Sequence, residues 1–363
     1  MEKNLDEQSH WLLKTKVQFL LSNAAFSIIS SIIVLMVFSY SQAELVFSDL
    51  KYISWIIFGV LLAFVRLIHL HQFHQKTENI DYVFWLNSYR ILTFLSGLLY
   101  TALVYLFFVK VAPTFQVIIM FIVVGVTSAA VATHGVDKLT FRLFSVTIIV
   151  STMLVLFFQP ESDYKVMSGL MILFLLVVER ASDQTCSTMK MNFELTYSMK
   201  YRATHDPLVG LFNRSEFEQQ FEQMVATTNH GLAMMFIDLD NFKSLNDTHG
   251  HEAGDDALIT AANTIRTYIR NDDVAARLGG DEFVVLLALD DISIAQRIAN
   301  EICTDIARQI NSQDEVQKVT SSIGLVFKAD KNIGFSRLLR EADIACYDSK
   351  SQGKNQVTTR IVE

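Results

Sequence analysis

Two pairs of carboxylates stand where the chemistry of a hard cation would need them. Residues 232–237, Leu-Ala-Met-Met-Phe-Ile, form an apolar run of strand length that ends in Asp238-Leu239-Asp240. Residues 274–278 and 283–288 are two further apolar runs joined by Gly279-Gly280, a hairpin signal, with Asp281 and Glu282 thrust out at its tip. Mg2+ prefers oxygen ligands and usually takes one or two carboxylates plus substrate phosphates, so a nucleotide is the natural partner of such a site. A lone Asp-x-Asp is equally what an acidic turn after a strand looks like, and the second pair is what favours the site. If the strand at 232–237 pairs beside the hairpin, Asp238 and Asp281 share one site, the arrangement that two-metal phosphoryl and nucleotidyl transfer needs.

Holding those carboxylates in register takes a packed domain in water, and the chain changes solvent before it. Its 363 residues are 51% hydrophobic and 19% charged, with mean hydropathy +0.31. That excludes a disordered or collagen-like chain and is too apolar for one soluble domain. The first 179 residues hold 11 basic and 11 acidic side chains and the remaining 184 hold 19 and 27, so the net charge of −8 sits in the second half. Lipid is the solvent expected for the first part and water for the second. An acidic half without a basic cluster lacks the footprint that nucleic acid requires, so no nucleic-acid partner is expected. Cys186, Cys303 and Cys346 form no C-x-x-C pair, which points to neither a disulfide framework nor a zinc site and suits a reducing cytosol.

Residues 17–43 carry no charge, long enough to cross a bilayer and too long for a signal-peptide core, and Asp6 and Glu7 precede them; an uncleaved anchor is expected. Uncharged runs at 52–65, 91–109, 111–136, 143–160 and 166–178 bring the expected count to six spans. Five is the alternative, because the second and sixth runs are short and need Arg66 and Arg180 to snorkel. Lys3, Lys14, Lys16, Arg66, Lys76, Arg90, Lys138, Arg142, Arg180 and Lys190 fall on one side, against Lys51, Lys110 and Lys165, which makes both termini cytoplasmic. His69, His71 and His74 read as a solvated juxtamembrane loop rather than a metal or pH-sensing cluster. Asn87, Arg90 and His134 read as interfacial anchors rather than cavity-lining groups. Between Arg180 and Thr204 the pattern is helical, with Cys186, Met189, Phe193 and Thr196 spaced alternately by three and four as in a short two-stranded seam. The expected organisation is a cytoplasmic N-terminus over 1–16, a transmembrane sensor domain over 17–179, a helical connector over 180–204 and a cytoplasmic domain over 205–363.

That last domain opens with His205-Asp206-Pro207-Leu208-Val209-Gly210-Leu211-Phe212-Asn213-Arg214, where Pro and Gly break the helical period and Asn213 is placed to cap a helix over 215–226. The run Gly279-Gly280-Asp281-Glu282-Phe283 is accompanied by D-P-L-x-G-L-x-N-R at 206–214, D-x-D-x-F-K-x-x-N-D at 238–247, G-H-x-x-G-D at 250–255 and A-D-x-A-x-Y-x-x-K-x-x-G-K-N at 342–355. In these five motifs, in order and at family-like spacing, residues 203 to about 360 resemble the GGDEF diguanylate cyclases. The resemblance implies an all-α transmembrane domain followed by an α/β domain of polymerase-palm or nucleotide-cyclase type, its central, mostly antiparallel sheet flanked by helices. It implies that two GTP molecules are joined into cyclic di-GMP with release of two pyrophosphates, by a homodimer in which each protomer presents one GTP. The setting it implies is a multi-pass protein of the bacterial inner membrane.

Carried over residue by residue, the resemblance implies that Asp238, the backbone carbonyl of Leu239, Asp281 and Glu282 ligate Mg2+, about two ions per site, with Mn2+ as a substitute. Asp281 matches the family's proton acceptor and Lys243 the group that stabilises the transition state. Asn246 and Asp255 match guanine-reading positions, an amide and a carboxylate meeting a pattern that adenine cannot satisfy. His251 matches another substrate-binding position, and Lys350 and Lys354 match phosphate-contacting residues, the family commonly having Arg at the second. Arg270 and Asp273 match the R-x-x-D site through which cyclic di-GMP inhibits, with Arg277 a further product-binding candidate. Val209 departs from the usual Thr of the entry motif, which bears on coupling and not on chemistry, and Cys346 reads as packing. Two rival readings are a catalytically silent nucleotide receptor, against which all three signature carboxylates are retained, and a transporter, against which no Pro-interrupted helix pair is present.

Overall fold

A computed structural model describes residues 2–77, 79–310, 319–329 and 333–362, with side chains from residue 8 onward. Lys3, Asp6 and Glu7, which entered the expected topology, have their side chains outside the described residues. The chain divides into two compact units, Met1–Tyr197 and Ser198–Glu363.

The first unit is all helix: α1 (Glu2–Ser41), α2 (Ala43–Val46), α3 (Leu50–Gln75), α4 (Tyr82–Phe107), α5 (Pro113–His134), α6 (Lys138–Phe157) and the greater part of α7 (Ser162–Thr204). Local sequence starts these helices where they start. Asp49, Asp81 and Asp137 accept from Lys51, Phe84 and Thr140 backbone N–H groups at the heads of α3, α4 and α6, and Pro113 opens α5, where its missing N–H costs nothing. Aromatic and aliphatic side chains fill the centre, among them Phe38, Trp55, Leu103, Phe107 and Phe141, and Trp55 donates its indole N–H to the Leu99 carbonyl at 2.9 Å. The outside is apolar as well: Ile33, Leu61, Phe64, Phe121 and Leu173 are each more than half exposed. In water such a surface would be an aggregation liability, and in lipid it is ordinary.

Five helices among the described residues are long and apolar enough to cross a bilayer, Gln8–Ser41, Leu50–Gln75, Tyr82–Phe107, Pro113–His134 and Lys138–Phe157. The sixth expected run, 166–178, lies in α7 and is not among them, because its 13 uncharged residues are closely flanked by Lys165 on one side and Glu179, Arg180 and Asp183 on the other. Packing nevertheless lays it along α6. Asp183 pairs with Lys138 at 2.6 Å, Glu179 with Arg142 at 2.9 Å, and Ser168 donates to the Met153 carbonyl at 3.0 Å, an antiparallel register over the length of α6.

Four other expectations differ from the structure. Arg66 does not snorkel; it is 6% exposed and donates inward to the hydroxyls of Ser27 and Ser96. His69, His71 and His74 belong to α3, not to a loop, and bond separately to Ser88, Gln75 and the Leu70 carbonyl, so they form no cluster. The expected two-stranded seam is occupied within the chain: Met189 and Phe193 pack against the α1 and α4 side chains around Leu20, Leu21 and Trp85, and Cys186 donates to the Val136 carbonyl. Arg90 grips Asp137 with two bonds of 2.9 Å and Asn87 accepts from it, while His134 is buried against the Tyr89 hydroxyl rather than anchored at an interface.

The second unit takes the end of α7 and then α8 (Arg214–Thr227), β1 (Leu232–Asp240), α9 (Phe242–His249), α10 (His251–Tyr268), β2 (Val274–Gly279), β3 (Glu282–Ala288), α11 (Ile292–Ile310), β4 (Thr320–Lys328), α12 (Phe335–Ser351) and β5 (Val357–Ile361). The sheet order is β2-β3-β1-β4-β5, antiparallel throughout except for β4 with β5. Leu232, Met234 and Phe236 of β1 pack with α8 and α12, whereas Ala233, Met235 and Ile237 pack with α10 and α11. Burial on both faces is why this strand reads as an unbroken apolar run. Asn213 caps α8 through the Glu216 N–H as its position implied. This helical unit followed by a mostly antiparallel sheet between helices is the fold class expected.

Candidate active site

Strand β1 pairs with β3, with Asp238 opposite Glu282, and the Leu239 N–H donates to the Asp281 carbonyl at 3.3 Å. The adjacency on which the carboxylate argument depended is therefore present. Gly279 (φ +152°) and Gly280 (φ +54°) occupy backbone conformations that side chains rarely adopt, which lets the chain reverse there and leaves Asp281 and Glu282 at the edge. Arg277 braces this tip: its guanidinium donates to the Gly280 carbonyl at 2.7 and 2.9 Å and reaches Asp206 at 3.2 Å. A product-binding role for Arg277 has to compete with those bonds.

Strand β1 continues through Asp240, past its expected end at Ile237, and the period of two carries Asp238 and Asp240 to the face covered by α12. The two carboxylates are not equivalent. Asp240 is 2% exposed and saturated, accepting from Ser322 at 2.8 Å, Thr320 at 2.7 Å and the Asn355 N–H at 3.2 Å. Asp238 faces Lys350, whose Nζ lies 2.7 Å from Oδ2. Burial pushes the Asp238 carboxyl up, the Lys350 hydrogen bond pulls it back, and the charges of Asp281 and Asp240 leave it above the ordinary range. Glu282 is raised as well, by burial and then by Asp238 and Asp281. For Lys350 burial opposes the charge, but its bond to Asp238 and the nearby carboxylates raise it.

A crowd of mutually repelling carboxylates is what a divalent cation relieves, and an all-oxygen donor set suits Mg2+. No three His, Cys, Asp or Glu side chains among the described residues converge on one point, so Asp238, Asp281 and Glu282 do not close a cage by themselves. Backbone and substrate oxygens are left to complete the coordination, as Mg2+ in nucleotide sites commonly requires.

Beside the strands, α9 and α10 meet at Gly250 (φ +87°). Asn246 packs into this corner with its amide oxygen buried and without a hydrogen-bond partner, and a Cβ on Gly254 would overlap that oxygen. His251 and Asp255 stand one turn apart on α10, both exposed. Lys243 is exposed in the first turn of α9, and Lys354 donates to Asn241 Oδ1 at 2.9 Å. Asp273 accepts from the Arg270 N–H at 2.7 Å, and Arg270 is exposed. Missed by the sequence reading were the contact of Lys350 with Asp238 itself and the saturation of Asp240 by β4 hydroxyls. The alternation of β1 places the acidic pair on one face, but no local signal announces which strand supplies the hydroxyls.

The comparisons fall on this unit. Residues 203–356 match the family model described as diguanylate cyclase, GGDEF domain. The probable diguanylate cyclase DgcE of Escherichia coli is 40% identical over 164 residues, 44% of this chain and 15% of that protein. The diguanylate cyclase TpbB of Pseudomonas aeruginosa is 40% identical over 162 residues, 43% of this chain and 37% of its own, and the solved structure of its GGDEF domain, 36% identical, covers 43% of this chain and 93% of that one with a TM-score of 0.39. The cyclic di-GMP phosphodiesterase PdeB of Shewanella oneidensis is 35% identical over 164 residues, 45% of this chain and 19% of that protein. The chain thus spans well under half the length of these curated relatives. On the matched family model and its signature residues at the joined ends of β1 and β3, residues 203–356 are a GGDEF domain.

Proposed function

We propose that this protein is a membrane-anchored diguanylate cyclase, condensing two GTP into cyclic di-GMP and two pyrophosphates. The observation that carries this reading is the juxtaposition at the ends of β1 and β3: Asp238 opposite Glu282, Asp281 beside Leu239, and Lys350 2.7 Å from Asp238. In the reaction the ribose 3′-oxygen of one GTP bonds to the α-phosphorus of the other, the bond to pyrophosphate breaks, and a second such step closes the ring. Asp281 accepts the 3′-hydroxyl proton. Lys243, Lys350 and Lys354 offset charge on the phosphate oxygens, and the orphaned Asn246 oxygen with Asp255 receives guanine N–H donors. Bound Mg2+, held by Asp238, Asp281, the Leu239 carbonyl and Glu282, would polarise the phosphate and lower the nucleophile's pKa.

Each catalytic event needs two GTP sites face to face, so a homodimer is part of the reading. Supporting it, Met191, Leu195 and Met199 leave an exposed apolar line along α7 at spacings of four. Charge placement and the packing of α7 along α6 support a sixth crossing, cytoplasmic termini and an inner-membrane location. Product inhibition through Arg270 and Asp273 belongs to the same proposal.

The test is to incubate purified full-length protein with GTP and Mg2+ and resolve cyclic di-GMP by mass, with ATP as control. Asp281→Asn is expected to lower turnover by orders of magnitude while GTP binding changes far less, since the loss is mainly of transition-state stabilisation. Equal turnover in variant and parent removes the assignment. Binding of GTP or cyclic di-GMP without product would instead make the domain a silent nucleotide receptor.

A further inference from the structure

The helical unit contains a cavity of about 50 Å³ walled by α1, α3, α4, α5 and α6, and its one charged wall is Arg66. Arg66 sits well inside α3, 6% exposed, with Nη1 3.1 Å from the Ser96 hydroxyl and Nη2 on that of Ser27. Those hydroxyls are themselves spent on helix carbonyls, Ser96 donating to Leu92 and Ser27 to Ala24, so the cation is met by neutral acceptors alone. Tyr100 donates to Ser31 on the same wall. Among the described residues no Asp or Glu lines the cavity.

A guanidinium inside a helical bundle in lipid is costly, and such groups ordinarily pair with an anion or face a polar cavity. Here the polar cavity is present and the counter-charge is not supplied by its lining. The space is well above the roughly 10–15 Å³ that a single water requires, so a small polar guest fits. We propose that this cavity binds a small monovalent anion, of the size of chloride, nitrate or formate, with Arg66 as its principal ligand and the hydroxyls of Ser27 and Ser96 turning to donate to it. Guanidinium donors are arrayed in a plane that suits a planar oxyanion, so nitrate and formate should bind better than chloride. This goes beyond the cyclase reading and does not depend on it, because the test reads binding and not turnover.

Full-length protein, delipidated in an uncharged detergent, is melted with increasing sodium formate, nitrate or chloride, and with gluconate at equal ionic strength as a bulky control. Formate and nitrate are expected to raise Tm saturably and gluconate not to. Ser96→Ala should move half-saturation about tenfold, the value of one charge-assisted hydrogen bond, and Arg66→Gln should abolish the response. If Arg66→Gln does not fold, Ser96→Ala and Ser27→Ala carry the test. No saturable rise, or unchanged half-saturation in both serine variants, overturns the proposal. A rise produced only on adding phosphatidylglycerol overturns it too, by making a lipid headgroup the ligand.

Discussion

Asn246 keeps a buried oxygen without a partner because Gly254 has no Cβ to displace it. A protein tolerates such an orphan where a ligand satisfies it, since an unmet buried acceptor costs about 1–3 kcal/mol. Gly254→Ala should push the amide aside and raise KM for GTP about tenfold with little change in kcat, the pattern expected when binding common to ground and transition states is lost. Steady-state kinetics decide it, and an unchanged KM would remove Asn246 from guanine recognition. Arg270 makes the complementary case: Arg270→Ala should abolish inhibition by added cyclic di-GMP while initial rates stay similar, whereas persistent inhibition would move the inhibitory site elsewhere. At this scale the motifs named the groups expected in the site, because motif residues stand at fixed offsets. What they concealed was partnership, as with Asp240, whose carboxylate looks like that of Asp238 in the sequence yet serves to tie β1 to β4.

Among the elements, α12 matters most to the site, since it brings Lys350 to Asp238. It lies directly on β4 because Gly324 leaves room there; a Cβ would fall 2.0 Å from the Ala342 carbonyl and 2.2 Å from the Cys346 N. Backbone cannot yield as a flexible side chain does, so Gly324→Ala should lift the helix, cost about 1–3 kcal/mol, and loosen the Lys350 contact. Hydrogen exchange would report it as faster exchange of the α12 amides relative to β1, and equal protection would mean the helix is seated by other contacts. Strand, hairpin and cap positions were readable here from apolar runs, Gly-Gly and Asn213. The end of β1 was not, because two of its last three residues are acidic and the three owe their strand pairing to Ser322, Ser321 and Thr320 of β4, far along the chain.

On the scale of the whole chain, the two units show their different solvents in the composition, yet the helical unit is held partly by a charge centre outside the apolar runs. Asp137, at the head of α6, accepts from Nε and Nη2 of Arg90, from the Thr140 hydroxyl and from Lys16 at 3.5 Å. Burial by itself would raise its carboxyl, but these bonds and charges hold it at about 2, below its ordinary 3.8. A depressed carboxyl stabilises the folded state above its unfolded value and loses that contribution as the pH falls toward the folded one. Thermal stability in detergent should therefore drop between pH 3.8 and about 2 more steeply in the parent than in Asp137→Asn, which should be the less stable of the two at neutral pH. Parallel pH profiles would exclude Asp137 as the source.

The sequence by itself determined the change of solvent, the long helices, the hairpin tip, the GGDEF motifs and the residues to expect in the site, since each is written in local composition or in fixed spacing. Tertiary structure alone decided that β1 pairs with β3 and brings Asp238 beside Asp281, and that Lys350 closes on that pair. It also decided that Met189 and Phe193 are used within the chain and that Arg66 turns inward to a cavity instead of outward to an interface. These depend on which distant surfaces meet, and an apolar period or a lone charge specifies that a face will be buried without naming the partner that buries it.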